Sequence, residues 1–264
     1  MTKLHKFVTL TAGVVAALSL QVFTAAPGGA ARGAAPGGAP GGAARGGGGR
    51  SATPVDTSPR TLAPYFTPAT AAPKAPDAEG FLQRWALLEP ITNGLRGNTG
   101  FTSSYVSNAF KTLNFPEQFP KVPKDGDKVT INGQELAWHT LDSTMFNVKL
   151  FRFAYGLGKT EYGITCFAIT VVDSPREIKD VRLAVGSNSA SQWWVNGKLT
   201  NELYTDRRMV ADDVVSKRFT LNKGPNIIQG AIINGPGMSD FCVRFLDEEG
   251  KPVKDITINL DAAK

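Results

Sequence analysis

The sequence predicts an all-β domain of jelly-roll sandwich type, and three observations carry the prediction. Short runs rich in Val, Ile, Phe and Thr recur from residue 129 to the end of the chain, separated by turn residues. One of them, 162–172, is apolar on both alternating faces: Ile164, Cys166 and Ala168 oppose Phe167, Ile169 and Val171. Side chains alternate along a strand, so this pattern marks one buried on both sides at the centre of a sheet. Helical spacing stands out in one place only, over 102–110.

The N-terminal part has a different composition. Lys3, His5 and Lys6 precede an apolar run over 7–22, which ends on the small residues Thr24, Ala25 and Ala26. That is the shape of a secretory signal peptide, assigned to 1–26, with a retained anchor as the alternative. Export to the periplasm or exterior of a bacterial cell follows, and membrane contact only if the segment is retained. Residues 27–79 are rich in Gly, Ala and Pro. They carry too little apolar area to offset ordering entropy, so they are expected to be a disordered linker. The Arg/Gly run at 45–50 fits an exported spacer better than an RNA-binding segment. The folded domain is expected over 80–264. Seven of the 29 basic and three of the 23 acidic residues lie before it, so the overall +6 falls to +2 on the domain. Nothing in that balance points to nucleic acid.

Within the domain, 81–88 reads as a strand stopped by Pro90, and 93–100 as a loop. Thr102 or Ser103 can cap the helix at 102–110. Pro116, Pro120 and Pro123 then interrupt regular structure. Asn132-Gly133 joins 129–131 to 134–138 as a hairpin, because Asn-Gly supplies the two positive-φ positions of a type I′ turn. Residues 147–155 read as a strand with Val148, Leu150 and Arg152 on one face. Further strands are expected at 181–185, 192–195, 217–221, 227–233, 240–246 and 253–260. The run Gly186 to Gly197 is a polar loop, an aromatic strand and a second Asn-Gly turn. Its adjacent Trp193 and Trp194 must point to opposite faces.

The catalytic inventory is short. His139 is the only histidine beyond the N-terminal segment, and there is no Gly-x-Ser-x-Gly elbow. A Ser-His-Asp hydrolase would have to use His139, which reads more simply as a packed residue beside Trp138. Cys166 and Cys242 lie in apolar strands. Export would permit a disulfide, and burial would make each thiol a small hydrophobe; both outcomes stay open. No cofactor is expected, with one alternative: Asp206, Asp212 and Asp213 as oxygen ligands of a structural calcium ion. The binding candidates are Trp193, Asn188, Tyr204, Arg207, Arg208, Asn234 and Asp240. They bring polar loops to one aromatic strand, and sugars offer a C–H face for an aromatic ring and hydroxyls for amide or charged partners.

Four motifs in order carry a resemblance: Trp194-Val-Asn-Gly, Ala211-Asp-Asp-Val-Val, Leu221-Asn-Lys-Gly-Pro-Asn-Ile-Ile, and Phe241-Cys-Val-Arg-Phe-Leu-Asp-Glu-Glu-Gly-Lys-Pro. With the opening Phe81-Leu-Gln-Arg-Trp-Ala-Leu-Leu-Glu-Pro-Ile, they make 81–260 resemble the galactose-binding-like β-sandwich modules appended to secreted polysaccharide-degrading enzymes. The resemblance extends to the non-catalytic domain of bacterial proteins named acetylxylan esterase. In the opening strand Glu89 stands where those modules usually have Gly. The resemblance implies a non-catalytic module that binds polysaccharide or oligosaccharide, of xylan type, beside a partner hydrolase. It also implies Trp194 as core anchor and Trp193, with the 187–191 loop, as the ligand-facing element. Two other readings remain: an acetylxylan-esterase-type enzyme, and a structural or interaction β-sandwich of a surface assembly.

Overall fold

The run expected to be buried on both faces is the central strand of the larger of two sheets. The computed structural model describes residues 59–95, 97 and 100–262. The expected signal peptide 1–26 and the linker up to residue 58 lie outside the described residues. In chain order the elements are β1 (Phe66–Pro68), β2 (Arg84–Leu88), β3 (Ile91–Thr92), α1 (Ser103–Thr112), β4 (Lys128–Ile131), β5 (Gln134–Ser143), β6 (Val148–Lys149), α2 (Leu150–Gly156), β7 (Ile164–Ser174), β8 (Ile178–Ser187), β9 (Ala190–Val195), β10 (Lys198–Leu203), β11 (Val214–Val215), β12 (Phe219–Leu221), β13 (Gly224–Asn234), β14 (Asp240–Leu246) and β15 (Thr257–Ile258). They form an all-β sandwich of two antiparallel sheets. The larger runs β1-β5-β2-β7-β13-β9-β10, with β3 and β15 on β7 and β4 on β5; the smaller runs β11-β8-β14-β6, with β12 on β8.

Strand β7 pairs with β13 along its whole length, from Gly224 opposite Ser174 to Asn234 opposite Ile164. Its two faces serve two separate cores. Cys166, Ala168 and Val172 face the layer between the sheets, with Trp85, Trp193, Phe241 and Phe245. Phe167 and Ile169 face outward, where α1 and the chain after it cover the sheet with Phe110, Phe115 and Phe119. Helix α1 is capped as expected, the Thr102 side chain accepting from the Tyr105 N–H at 3.3 Å. Both Asn-Gly turns adopt positive φ at both positions, 52° and 75° at Asn132-Gly133 and 51° and 75° at Asn196-Gly197. The second turn returns the chain as β10, which the strand expectations had passed over.

Three expectations are corrected. Residues 147–155 are not one strand, because the chain turns into α2 after Lys149. Leu150, Phe153 and Ala154 are its buried residues, at i, i+3 and i+4, which is helical spacing; Phe151 and Arg152 are left half-exposed. The predicted strand at 253–260 shrinks to Thr257–Ile258. Most consequential, the expected linker is ordered from residue 59 onward. Phe66 is buried against Phe153 at 6.1 Å, and β1 pairs with β5. Lys74 and Ile258 exchange backbone hydrogen bonds at 3.0 and 2.7 Å. A Pro-rich segment with almost no core of its own is ordered here by a neighbour's unpaired strand edge and one aromatic anchor. Composition alone does not report either.

Both cysteines are free and buried. Burial pushes each thiol up to about 12, so neither is a reactive thiolate near neutrality. Among the described residues, no helix is long and apolar enough to cross a membrane.

Candidate functional site

Strand direction brings several loops to one end of the sandwich: the β8–β9 turn, the 204–213 loop, the β13–β14 loop and the chain entering β7. Backbone bonds tie them together. Ser189 N–H donates to Arg207 O at 3.1 Å, Asn188 N–H to Asp240 O at 3.0 Å, and Gly163 N–H to Gly235 O at 2.8 Å. Between these loops lies an open cleft of about 330 Å³, at the small end of the range for ligand sites. Asn188, Asp206, Arg207, Arg208, Asn234 and Met238 line it.

The cleft collects four of the seven predicted ligand residues, in two different roles. Asn234 is buried and works within the fold: its side-chain amide donates to Ser239 Oγ at 2.6 Å and to Gly237 O at 3.0 Å, and its Oδ1 accepts from Ser189 Oγ. Asn188 likewise ties loops, its Oδ1 accepting from the Asp240 N–H at 3.0 Å. Arg207 Nε lies 3.4 Å from Asp213 Oδ2. Arg208 is exposed, and among the described residues no carboxylate lies within 4.0 Å of its guanidinium. Met238, also in the lining, is 58% exposed.

The other three candidates are not on the cleft surface. Asp240 lies beneath it, buried and held by Lys149 Nζ at 2.9 Å. Burial pushes its carboxyl above the usual range, and Lys149 and Arg152 pull the other way. Tyr204 packs into the outer core with Trp194, where burial and the Glu202 carboxylate raise its phenol. Trp193 reverses the expectation: it is fully buried between the sheets, while Trp194 is 8% exposed in the outer core. Neither ring is free to stack on a ligand, because both faces of β9 are covered.

An aromatic pair bonded to the cleft loops, Phe151 and Tyr162, lies outside the sequence expectations for the site, because Phe151 belongs to the segment expected to be a strand. Phe151 on α2 donates its N–H to Ser239 O at 3.1 Å, and its ring meets that of Tyr162 at 5.6 Å. Tyr162 is 49% exposed and immediately precedes Gly163, whose N–H is bonded to the cleft loop. Helical spacing of Leu150, Phe153 and Ala154 was the signal that could have found it.

The suggested calcium ligands are engaged elsewhere. Asp212 forms a bidentate pair with Arg244, and Asp213 faces Arg207. Among the described residues, no three His, Cys, Asp or Glu side chains cluster as metal ligands would. His139 Nε2 lies 3.6 Å from Glu89 Oε1, with its ring edge-on to Phe153, and among the described residues Nε2 has no hydrogen-bond partner, serine included. Burial raises the Glu89 carboxyl, but the Lys159 ammonium at 3.0 Å and the Ala137 N–H outweigh it and hold the group below its ordinary value. A carboxyl with a lowered folded pKa stabilises above its unfolded pKa, near 4.5, and loses that contribution as pH falls through the folded value. Glu89→Gln is therefore expected to cost about 1–2 kcal/mol at pH 7. In urea unfolding, the gap to the natural chain should close as pH falls below 4.5. A gap independent of pH would remove the ion-pair explanation.

A larger groove of about 1020 Å³ runs between residues 118–129 and 69–71. It holds none of the predicted ligand residues. Its Asp125 and Asp127 carboxylates accept from the Thr140 and Lys124 N–H groups, both at 2.8 Å, and so brace the loop.

No family model matches the chain, and no curated protein does. Among solved structures it is similar to a PA14 sugar-binding domain from an RTX adhesin, with TM-score 0.38 and 11% identity over 70% of this chain and 98% of that one. It is similar also to the PA14 domain of the MpAFP antifreeze protein, with TM-score 0.39 and 10% identity over 73% and 95%. A third likeness is to a GH31 α-xylosidase from Xanthomonas citri, with TM-score 0.29 and 11% identity over 71% of this chain and 21% of the xylosidase.

Proposed function

We propose that this domain is a non-catalytic glycan-binding module of the galactose-binding-like class, exported and acting on plant polysaccharide of xylan type beside a partner hydrolase. One observation carries the reading: an open cleft at the loop end where, among the described residues, the Arg208 guanidinium has no carboxylate within 4.0 Å, with exposed Met238 in its lining and exposed Tyr162 just before Gly163, which is bonded to the adjoining loop. A forked donor beside an apolar surface suits a hydroxylated ring, which needs hydrogen bonds at its edge and contact on its C–H face. The cleft is shallow, so affinity for a short oligosaccharide is expected at a Kd of about 10 μM to 1 mM.

The test uses the full chain in affinity electrophoresis against a panel of neutral and acidic soluble glycans, with pull-down on insoluble xylan. Retardation by at least one glycan, reduced by Tyr162→Ala without loss of the folded state, is the expected result. A chain that no glycan retards would end the proposal.

A further inference from the structure

Among the described residues, the charges near this end of the molecule are paired with two exceptions. Asp240 faces Lys149 at 2.9 Å, Glu89 faces Lys159 at 3.0 Å, Asp213 faces Arg207 at 3.4 Å and Glu161 faces Arg60 at 3.5 Å. Asp206 on the cleft rim is also engaged within the chain. Two guanidinium groups remain: Arg208 on the rim and Arg152 on the outer face of α2, neither with a carboxylate within 4.0 Å among the described residues.

Arg152 is not loose. Its guanidinium carbon lies 5.0 Å from the centre of the Tyr65 ring and 5.7 Å from that of Phe151. A guanidinium held over aromatic rings uses no N–H on a carboxylate there and can still take an oxyanion. The rings also fix the group's orientation, so less entropy is lost when it binds. From Arg152 the surface continues through Phe151 to exposed Tyr162, whose neighbour Gly163 is bonded to Gly235 at the cleft. Residue types thus follow one another as stacked arginine, aromatic pair, polar cleft and free arginine.

We infer that this face takes an acidic glycan chain, one whose sugars carry carboxylates, laid from α2 across Tyr162 into the cleft, with uronate groups on Arg152 and Arg208. This rests on the glycan-binding reading above and adds the charge and length of the ligand. A neutral sugar brings no carboxylate to either guanidinium group, whereas a chain bearing carboxylates at intervals engages both and gains from their linkage. A single exposed ion pair is weak, so a chain spanning both is needed for useful affinity.

The experiment compares polygalacturonate and glucuronoxylan, each beside its carboxyl-reduced neutral form, with polyglutamate as a polyanion lacking sugar. The full chain is used at low salt and at 0.15 M salt. The expected result is at least one acidic polymer binding about tenfold more tightly than its reduced form, with Arg152→Gln and Arg208→Gln each lowering that preference about fivefold. Affinity for the reduced form should fall by less than affinity for the acidic polymer, because a neutral ring loses a hydrogen bond to the arginine and no counter-charge. Arg208 is exposed, so its variant tests the idea even if Arg152→Gln disturbs α2. Equal binding of acidic and reduced polymers overturns the inference and leaves glycan binding standing. Equal binding of polyglutamate overturns it in favour of plain ion exchange. Failure of every polymer overturns both.

Discussion

Trp193→Ala is expected to destabilise the domain by about 3–5 kcal/mol, the range for removing a large aromatic ring from a core. The ring sits between the sheets, fully buried, with Phe241 at 5.1 Å and Trp85 at 6.0 Å, and those two rings meet edge-on at 5.0 Å. Its indole N–H donates to Ser191 Oγ at 2.9 Å, so the polar atom is satisfied as well. The site is also closed from the neighbouring strand. Gly230 lies opposite Trp193, and a Cβ added there would come within 2.3 Å of the ring. Gly230→Ala should therefore act from the other side, forcing the ring or strand to shift at a cost of about 1–3 kcal/mol. Urea unfolding of the two variants checks both values. A Trp193→Ala chain that kept its stability but lost glycan binding would restore the ligand role that the burial of this residue removes.

Arg84→Met is expected to cost about 2–4 kcal/mol, because it leaves the buried Asp142 carboxylate with only the Lys74 ammonium, at 3.5 Å, as a counter-charge. Arg84 is 3% exposed and Asp142 8%. Their bidentate pair has distances of 2.8 and 3.1 Å across the β2–β5 register. The same guanidinium donates to Ala72 O at 2.5 Å and Thr70 Oγ1 at 3.3 Å, so it also pins the segment ahead of the domain. Two readouts follow: a lower urea midpoint, and faster proteolysis between residues 69 and 76. The double variant Arg84→Met with Asp142→Leu should recover much of the loss, since removing both charges removes the desolvation problem. Additive losses in the double variant would show that the pair is not coupled.

Much of the fold was legible because strand and turn signals are local. The double-faced pattern over 162–172 placed β7 at the centre of its sheet. The two Asn-Gly dipeptides placed their turns, and Thr102 placed the start of α1. The candidate site was legible only in part. Asn188, Arg207, Arg208 and Asn234 converge as expected because they sit on neighbouring loops between paired strands. The aromatic pair did not emerge, because 147–155 satisfies strand alternation and helical spacing almost equally well over so short a run.

What the sequence by itself determined is which side chains share a face: Trp193 and Trp194 must diverge, and they do. Which face meets which layer was decided only by the tertiary structure. One ring enters the space between the sheets and the other the core beneath α1, and no local pattern reports a layer built from separate parts of the chain. The same reason orders residues 59–79. Their own composition cannot offset the entropy of fixing them, but the β5 edge, the Arg84 guanidinium and the pocket beside Phe153 supply what they lack.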